Sequence, residues 1–294
     1  MKHELRHGTL THQGLSFSTL SSGSEEGELA LLLHGFPQFA DAWSGLMLSL
    51  AAAGFRTFAP DQRGYSTGAR PSAVESYDVS HLASDALAFA DALGASSFHL
   101  IGHDWGGFLA WKLAAEHPDR VRTLSVLSTA HIDAFLEAIA KDPDQKARSQ
   151  YIDFFKMPGH VAESYFLVDD AKRLRGVYQG KVAEPQVSSN VRRLSEPGAL
   201  TSVLNWYRAL DRNARIGEVR VPTLYIWGDQ DLALGRTAAN ETARYVDAPY
   251  QFEVLNDYSH WLLEEAPEKV SRLVQNHLRA FSTNADLRNK TRAE

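Results

Sequence analysis

LIGHDWGGF, residues 100–108, places one aspartate at a junction between two kinds of secondary structure. The preceding segment SFHLIG (97–102) predicts a strand, and the following segment WGGFLAWKLAAEHP (105–118) predicts a helix that ends at proline. Asp104 therefore falls at the turn, where the flanking glycines permit a sharp bend and a close approach of strand and helix. The positive end of the helix dipole favours an ionised carboxylate at this position.

Outward from this turn, strands and helices alternate along the chain. The patterns predict strands at 15–20, 29–33, 55–60, 97–102 and 121–129, and helices at 41–54, 78–94 and 105–118. The segment LALLL at 29–33 is apolar throughout, which is typical of a parallel strand buried on both faces. The alternation predicts an α/β fold, with a mostly parallel sheet flanked by helices.

The alternation stops after the strand at 121–129. Residues 131–215 show helical patches and many charges but no convincing buried strand. The strand pattern resumes at 221–231, and a helix, a strand at 250–255 and a helix at about 263–281 follow. We therefore expect an α/β core of residues 1–130 and 216–294, with residues 131–215 inserted as a helical cap. Such an insertion leaves the carboxyl end of a strand and would cover the crevice where these sheets bind ligands.

Composition excludes several classes of function. The formal net charge is -6, so the basic surface of a nucleic-acid-binding protein is not expected. The chain has no cysteine, which excludes disulfides and thiolate chemistry. The N-terminus lacks the apolar segment of a signal peptide, and LALLL is too short to span a bilayer. We expect a cytoplasmic protein that binds neither nucleic acid nor membrane; the sequence leaves its oligomeric state open.

One N-terminal segment has the spacing of a zinc site. His3-Glu4-Leu5-Arg6-His7 spells H-E-x-x-H, which binds zinc only where a helix presents both imidazoles and a third ligand completes the site. The glycine and threonines that follow favour a strand or loop instead. We therefore expect a chance match, with no metal and no cofactor.

Six separate stretches give the chain a resemblance to a known family. They are HGFPQ (34–38), GHDWGG (102–107), QYIDFFKMPGHVAE (150–163), LNWYRAL (204–210), GDQD (228–231) and DYSHW (257–261). Together they resemble the soluble bacterial epoxide hydrolases of the α/β-hydrolase fold, over essentially the whole chain. The resemblance implies that fold with an inserted lid, and a cofactor-free enzyme that converts small-molecule epoxides and water to vicinal diols.

Asp104 occupies the position that defines the chemistry of this fold. Related hydrolases read G-x-S-x-G at the turn, and here the aspartate replaces the serine. A carboxylate that attacks sp³ carbon forms an ester that water can hydrolyse, whereas a serine would form a stable ether. The substitution therefore favours Asp104 as a nucleophile toward sp³ carbon, although the residue taken alone would pass for a helix N-cap.

The resemblance implies two partners for this nucleophile. His260 is the general base that activates water against the ester, and Asp231 orients its imidazole. Nucleophile, acid and histidine follow the order usual for the fold. Asp229 lies on the same loop and is a rival that the motif does not favour. Alone, Asp231 would be read as a turn residue and His260 as a helix cap.

The segment after the strand at 29–33 is expected to contribute to the same site. The resemblance implies that the backbone N–H groups of Phe36 and Trp105 form the oxyanion hole. It also implies that His34, Pro37 and Trp105 contact the substrate. The alternative is a tight H-G-x-P turn that only closes the strand.

Two tyrosines in the inserted segment distinguish epoxide hydrolases from other members of the fold. Tyr151 in QYIDFF and Tyr207 in NWYRAL match the family's lid tyrosines. Phenols stay protonated at neutral pH, so each can donate a hydrogen bond to the oxirane oxygen as the ring opens. Either tyrosine alone would be read as a packing aromatic.

Two alternatives use the same fold. A haloalkane dehalogenase shares the aspartate nucleophile, and Trp105 suits a halide donor. Phe36, however, stands where such enzymes carry asparagine, and dehalogenation does not need Tyr151 or Tyr207. A non-catalytic ligand receptor usually lacks part of the catalytic set, which here is complete. A serine esterase is disfavoured because no serine or cysteine occupies the turn.

Overall fold

The computed structural model describes residues 4–211 and 213–284. Within that part of the chain the strands are β1 (Arg6–His12), β2 (Leu15–Ser22), β3 (Leu29–Leu33), β4 (Arg56–Pro60), β5 (Phe98–His103), β6 (Val121–Leu127), β7 (Thr223–Gly228) and β8 (Tyr250–Leu255). The helices are α1 (Ser44–Ala52), α2 (Val79–Ala92), α3 (Trp105–Glu116), α4 (Ile132–Lys141), α5 (Pro143–Arg148), α6 (Gln150–Phe155), α7 (Val161–Gly176), α8 (Glu184–Leu194), α9 (Ala199–Ala209), α10 (Arg236–Glu241), α11 (Leu262–Glu265) and α12 (Pro267–Ala280).

The strands form one sheet in the order β1-β2-β4-β3-β5-β6-β7-β8. The pairs β1–β2 and β2–β4 are antiparallel, and the pairs from β4 to β8 are parallel. Every residue of β3 and β5 is buried, because α1 and α12 pack on one face of the sheet and α2 and α3 on the other. The predicted α/β fold with a mostly parallel sheet is confirmed.

The first strand is the element that the pattern did not define. β1 (Arg6–His12) is largely exposed and polar, so it lacks the apolar signal of the inner strands. Arg6 and His7 of the H-E-x-x-H segment lie in this strand, and His3 lies outside the described residues. No cluster of three or more potential metal ligands occurs in residues 4–211 and 213–284. The same ranges contain no helix with the length and apolar character needed to cross a membrane.

Helices α4 to α9 follow β6 and precede β7, with no strand among the described residues between them. Their entry and exit meet at one carboxylate. The side chain of Asp133, in the first turn of α4, accepts hydrogen bonds from the backbone N–H groups of Ile216 and Gly217, each at 3.1 Å. These hydrogen bonds bring the beginning and the end of the segment together, although it leaves the carboxyl end of β6 and returns to the amino end of the parallel strand β7.

Candidate active site

Asp104 lies at a strained turn between β5 and α3. Its backbone angles, φ 52° and ψ -122°, are unusual for a residue with a side chain, and such strain concentrates at functional sites. Close packing holds the turn in place. A Cβ on Gly106 would lie 1.9 Å from the carbonyl oxygen of Leu33, and one on Gly35 would lie 2.3 Å from Asp104 Oδ1. Only glycine fits at these two positions, which explains the glycines that surround the aspartate.

The structure brings His260 and Asp231 to this carboxylate. Asp231 follows β7 and His260 follows β8, so both lie at the carboxyl edge of the parallel sheet with Asp104. His260 Nδ1 is 2.8 Å from Asp231 Oδ2, and His260 Nε2 is 3.5 Å from Asp104 Oδ2. One imidazole thus bridges two carboxylates from different loops, which is the geometry of a nucleophile, a base and an orienting acid.

Further hydrogen bonds fix the orientation of the acid. The second carboxylate oxygen of Asp231 accepts from the backbone N–H groups of Ala233 at 2.8 Å and Leu234 at 3.0 Å. Asp229, the rival on the same loop, instead accepts from the backbone N–H of Asp257 at 2.8 Å. Asp231 is therefore the aspartate of this loop whose side chain contacts the histidine.

Two residues that the sequence motifs did not select hydrogen-bond the backbone of His260. Its backbone carbonyl accepts hydrogen bonds from His103 Nε2 and Ser128 Oγ, both at 2.9 Å. Burial lowers the pKa of His103 to about 4, so its ring is neutral and can donate through one nitrogen. The only sequence signal for either was adjacency: His103 precedes Asp104, and Ser128 directly follows β6.

The charges of the site are strongly coupled. Burial acts to raise the pKa of Asp104, but the hydrogen bond and positive charge of His260 outweigh burial and lower it. Burial likewise acts to lower the pKa of His260, but the carboxylates of Asp231 and Asp104 outweigh it and raise the pKa to about 10. At neutral pH the free protein therefore holds an ionised aspartate beside an imidazolium.

Backbone N–H groups point at the same carboxylate. The N–H of Phe36 donates to Asp104 Oδ1 at 2.7 Å, and the backbone of Trp105 also donates to this side chain. Backbone donors at this carboxylate would stabilise the negative charge that develops when water adds to an ester of Asp104. The two predicted oxyanion donors thus converge on the predicted nucleophile.

Tyr151 and Tyr207 come from the helices that lie between β6 and β7. Tyr151 lies on α6 and Tyr207 on α9, with their ring centroids 6.2 Å apart. Burial and the negative charge of Asp104 raise the pKa of both phenols well above its ordinary value, so both stay protonated. The side chain of Trp105 hydrogen-bonds the Tyr207 hydroxyl and packs edge-on against its ring, with centroids 5.0 Å apart.

A cavity of about 640 Å³ is lined by residues of the loops at the carboxyl edge of the sheet and of helices α6, α7 and α9. Its apolar lining includes Phe36, Phe154, Phe155, Tyr165, Phe166 and Trp261. Asp104 and His260 line the cavity, as do both predicted tyrosines. Gln150 and Gln179 add two more polar side chains to a lining that is otherwise mostly apolar and suits an apolar molecule.

The three predicted substrate contacts differ in their placement. His34 and Pro37 are absent from the described residues that line this cavity, and Trp105 lines a smaller cavity of about 50 Å³ beside Asp104. His34 is buried beneath the loop, where its Nε2 accepts from the backbone N–H of Gln62 at 3.2 Å. Its ring packs edge-on against Tyr65 at 4.5 Å. The ring of His34 therefore contacts the protein interior and not this cavity, and its predicted contact with substrate stays a prediction.

Comparisons with known proteins agree with this geometry. Residues 30–267 match a family model described as alpha/beta hydrolase fold. The chain is 34% identical to epoxide hydrolase 3 of Xenopus tropicalis over 280 residues, which cover 90% of this chain and 75% of that protein. It is also 34% identical to the AB hydrolase superfamily protein YfhM of Bacillus subtilis over 276 residues, 90% of this chain and 95% of that protein.

A solved structure gives a similar result. The epoxide hydrolase of Bacillus megaterium, solved in complex with an inhibitor, superimposes with a TM-score of 0.84 at 28% sequence identity. The match covers 92% of this chain and 99% of that one. On the strength of the sheet, the aspartate at its strand–helix turn and these similarities, the chain belongs to the epoxide hydrolase family of the α/β-hydrolase fold.

Proposed function

We propose that this chain hydrolyses small-molecule epoxides to vicinal diols, with water as the second substrate. The observation that carries the proposal is the arrangement of one cavity: an ionised Asp104 on one side and two protonated phenols on the other. An oxirane needs both at once, because one carbon must be attacked while the departing oxygen is protonated.

In the first step, a carboxylate oxygen of Asp104 attacks one oxirane carbon. The new C–O bond makes an alkyl ester, and the C–O bond of the strained ring breaks toward the ring oxygen. Tyr151 and Tyr207 hydrogen-bond that oxygen, and one of them transfers its proton to it. The hydrogen bond from Trp105 to Tyr207 supports this role, because a hydroxyl that accepts from the indole keeps its own proton for the substrate.

In the second step, water hydrolyses the ester. Alkylation removes the negative charge of Asp104, so one of the two carboxylates that raise the pKa of His260 is neutralised. The imidazolium can then return a proton to the phenolate left by the first step, and the neutral imidazole accepts a proton from water, whose oxygen attacks the ester carbonyl. Phe36 and Trp105 stabilise the oxyanion, and Asp231 keeps the imidazole oriented. Collapse of the intermediate breaks the ester C–O bond, and the departing alkoxide takes the proton of the new carboxylic acid to complete the diol. Asp104 is then ionised again, and His260 is protonated by the proton that it took from water.

The placement of the reacting groups supports the proposed domain organisation. Residues 1–130 and 216–294 form the core that carries Asp104, Asp231, His260 and the oxyanion donors, and residues 131–215 form the cap that carries the tyrosines. The aromatic lining of the cavity supports a substrate with a large apolar substituent. A cytoplasmic location, with neither nucleic acid nor membrane as partner, stays a prediction from composition.

One paired assay tests the activity. Purified protein is given styrene oxide and, separately, a bromoalkane, and diol and released bromide are quantified with Asp104→Ala as the control. We expect diol without bromide, and no diol from the variant. Bromide without diol would replace the proposal with haloalkane dehalogenation, and ligand binding with neither product would indicate a non-catalytic receptor.

A second measurement tests the covalent step. His260→Gln should still be alkylated but should hydrolyse the ester slowly, so intact-mass spectrometry should find protein heavier by the mass of one epoxide. Asp104→Ala should show no added mass under the same conditions. A folded His260→Gln variant that consumes no epoxide and gains no mass would contradict the ester mechanism.

A further inference from the structure

One buried carboxyl near the site has no part in the proposed reaction. Glu264 lies on α11, which begins two residues after His260. One of its oxygens accepts a hydrogen bond from the side-chain amide of Gln38. Its other oxygen is buried and has no hydrogen-bond partner within the part of the chain that the structure describes. Such a group carries a desolvation cost that packing alone does not explain.

Gln38 belongs to the loop that carries the oxyanion donor Phe36. The loop is compact, since the backbone N–H of Gln38 donates to the carbonyl of Gly35 at 2.9 Å. The hydroxyl of Tyr178 donates to the carbonyl of Pro37 at 2.7 Å. Gln38 is buried, and its amide is the group that ties this loop to the helix after the catalytic histidine. Glu264 therefore contacts the oxyanion loop from the side of His260.

The surroundings of Glu264 favour its protonated form. Burial raises the pKa of Glu264 to about 7, and the neighbouring carboxylate of Glu265 acts in the same direction. The positive charge of His260 and the hydrogen bond from Gln38 oppose this rise. The nearby cation Lys181 pairs with Glu265 at 3.0 Å. A neutral carboxylic acid has the shape and the hydrogen-bonding capacity of an amide, so glutamine is its closest substitute.

We propose that Glu264 is a positioning residue for ester hydrolysis: it holds Gln38, and through Gln38 it keeps the N–H of Phe36 aimed at the oxygen of Asp104. The inference rests on the proposed function. The two chemical steps respond differently to this N–H. Negative charge leaves the Asp104 carboxylate during alkylation and returns during hydrolysis, so a misaimed donor slows the second step and spares the first.

The test uses steady-state kinetics on an epoxide whose turnover is limited by hydrolysis. Glu264→Leu removes the acceptor for Gln38, Glu264→Gln keeps an acceptor of the same size, and Glu268→Gln, at an exposed site on α12, is the control. For Glu264→Leu we expect kcat to fall roughly tenfold, part of the 10²- to 10³-fold effect of losing an oxyanion donor. KM should fall with it, so that kcat/KM stays within about twofold.

Intact mass provides an independent readout of the same variants. In single-turnover reactions the alkyl-enzyme of Glu264→Leu should decay roughly tenfold more slowly than that of the wild type, whereas the alkyl-enzymes of Glu264→Gln and Glu268→Gln should decay at the wild-type rate. Gln38→Met breaks the same hydrogen bond from the other partner and serves where Glu264→Leu does not fold. Equal losses in kcat and kcat/KM, or a Glu264→Gln variant as slow as Glu264→Leu, would overturn the inference. Absence of diol from the wild type would instead overturn the proposed function.

Discussion

The two halves of the candidate site are held by different interactions. On the sheet side, Asp104, Asp231 and His260 are fixed by hydrogen bonds of 2.7–3.0 Å and by glycines with no room for a Cβ. On the lid side, Tyr151 and Tyr207 are held mainly by aromatic packing. The ring of Tyr207 lies edge-on to Phe155 at 4.8 Å and to Trp105 at 5.0 Å, and Tyr151 lies edge-on to Phe155 at 5.3 Å.

This difference shows which side of the site must be the more rigid. Ester formation and hydrolysis require charges placed to within a fraction of an ångström, which backbone donors on a parallel sheet provide. Contacts with the substrate body tolerate more variation, because apolar packing is not directional. The lid can therefore change its lining without disturbing the charged groups. The sheet side should consequently be the more sensitive to substitution.

The largest expected effect is on the sheet side. Asp104→Ala removes the atom that bonds to the substrate, so diol formation should fall by about 10⁴-fold or more. Initial rates of diol release measure the loss, and circular dichroism establishes that the variant is folded. Asp229→Ala, on the loop of Asp231, should retain activity within a few-fold because its carboxylate binds the backbone of Asp257. An Asp229 variant as inactive as Asp104→Ala would reassign the acid.

The lid side should show smaller, separable effects. Tyr151→Phe and Tyr207→Phe each remove one donor to the ring oxygen, so kcat/KM should fall roughly 10²-fold for each. Rates of alkyl-enzyme formation measured by rapid quench report the step directly. Tyr165→Phe is the matched control, because this tyrosine also lines the cavity and should lose less than about threefold. Equal rates in all three variants would remove the tyrosines from the mechanism.

The pH dependence should separate the two chemical steps. Alkylation needs ionised Asp104, whose pKa is lowered, so kcat/KM should stay flat across neutral and mildly acidic pH. Hydrolysis needs neutral His260. Alkylation removes the charge of Asp104 and so lowers the pKa of His260 below its free-enzyme value of about 10. At pH values below this new pKa, only a minor fraction of His260 is neutral and can act as the base. For a hydrolysis-limited substrate, kcat should fall about tenfold per pH unit on the acid side of that pKa.

A kcat that is independent of pH over the range where kcat/KM is flat would contradict this assignment of the base. The matched control is His260→Gln, whose residual ester hydrolysis should lack the acid limb. The same substitution tests the charge coupling, because the raised pKa of His260 stabilises the fold most below about 6.5 and less as pH rises toward about 10. The excess stability of the wild type over His260→Gln should therefore shrink across that window.

The smallest effect is expected at Asp133, where the helical segment between β6 and β7 joins the core. Asp133→Ala removes the acceptor for the N–H groups of Ile216 and Gly217, which should cost about 1–3 kcal/mol of stability. Thermal or urea unfolding measures it, with Asp144→Ala, an exposed aspartate of the next helix, as the control. The variant should keep most of its activity at temperatures where it is folded. Equal unfolding midpoints in Asp133→Ala and the wild type would show that this contact is not stabilising.

The sheet could be predicted closely because its signals are local. β3 coincides with the predicted strand at 29–33, and β5 (Phe98–His103) is displaced by one residue from the prediction. Buried apolar runs that stop at glycine or at the edge of the sheet define such strands without knowledge of their partners. β1 was not defined because an exposed strand carries little apolar signal.

The contacts around the site could be predicted only in part. Asp104, His260, Asp231, Tyr151 and Tyr207 came from motifs. The structure brings four of them to the lining of one cavity and places Asp231 on the imidazole of His260, while their roles stay predictions. Residues that hold the site groups from distant parts of the chain leave no pattern in the local sequence. Gln38 meets Glu264 across 226 residues, and Ser128 reaches the carbonyl of His260 across 132. The packing of His34 against Tyr65 likewise left no local pattern, since only tertiary structure shows which way its ring faces.

The junction at Asp133 has a consequence for how this architecture diversifies. The helical segment between β6 and β7 begins and ends beside Asp133, so one short contact defines its junction with the core. Segments of other lengths and sequences could be exchanged at that junction during evolution, or by recombination in the laboratory, while the residues of the core are inherited unchanged. New substrate preferences would then arise by replacing a module, with the ancestral reaction retained.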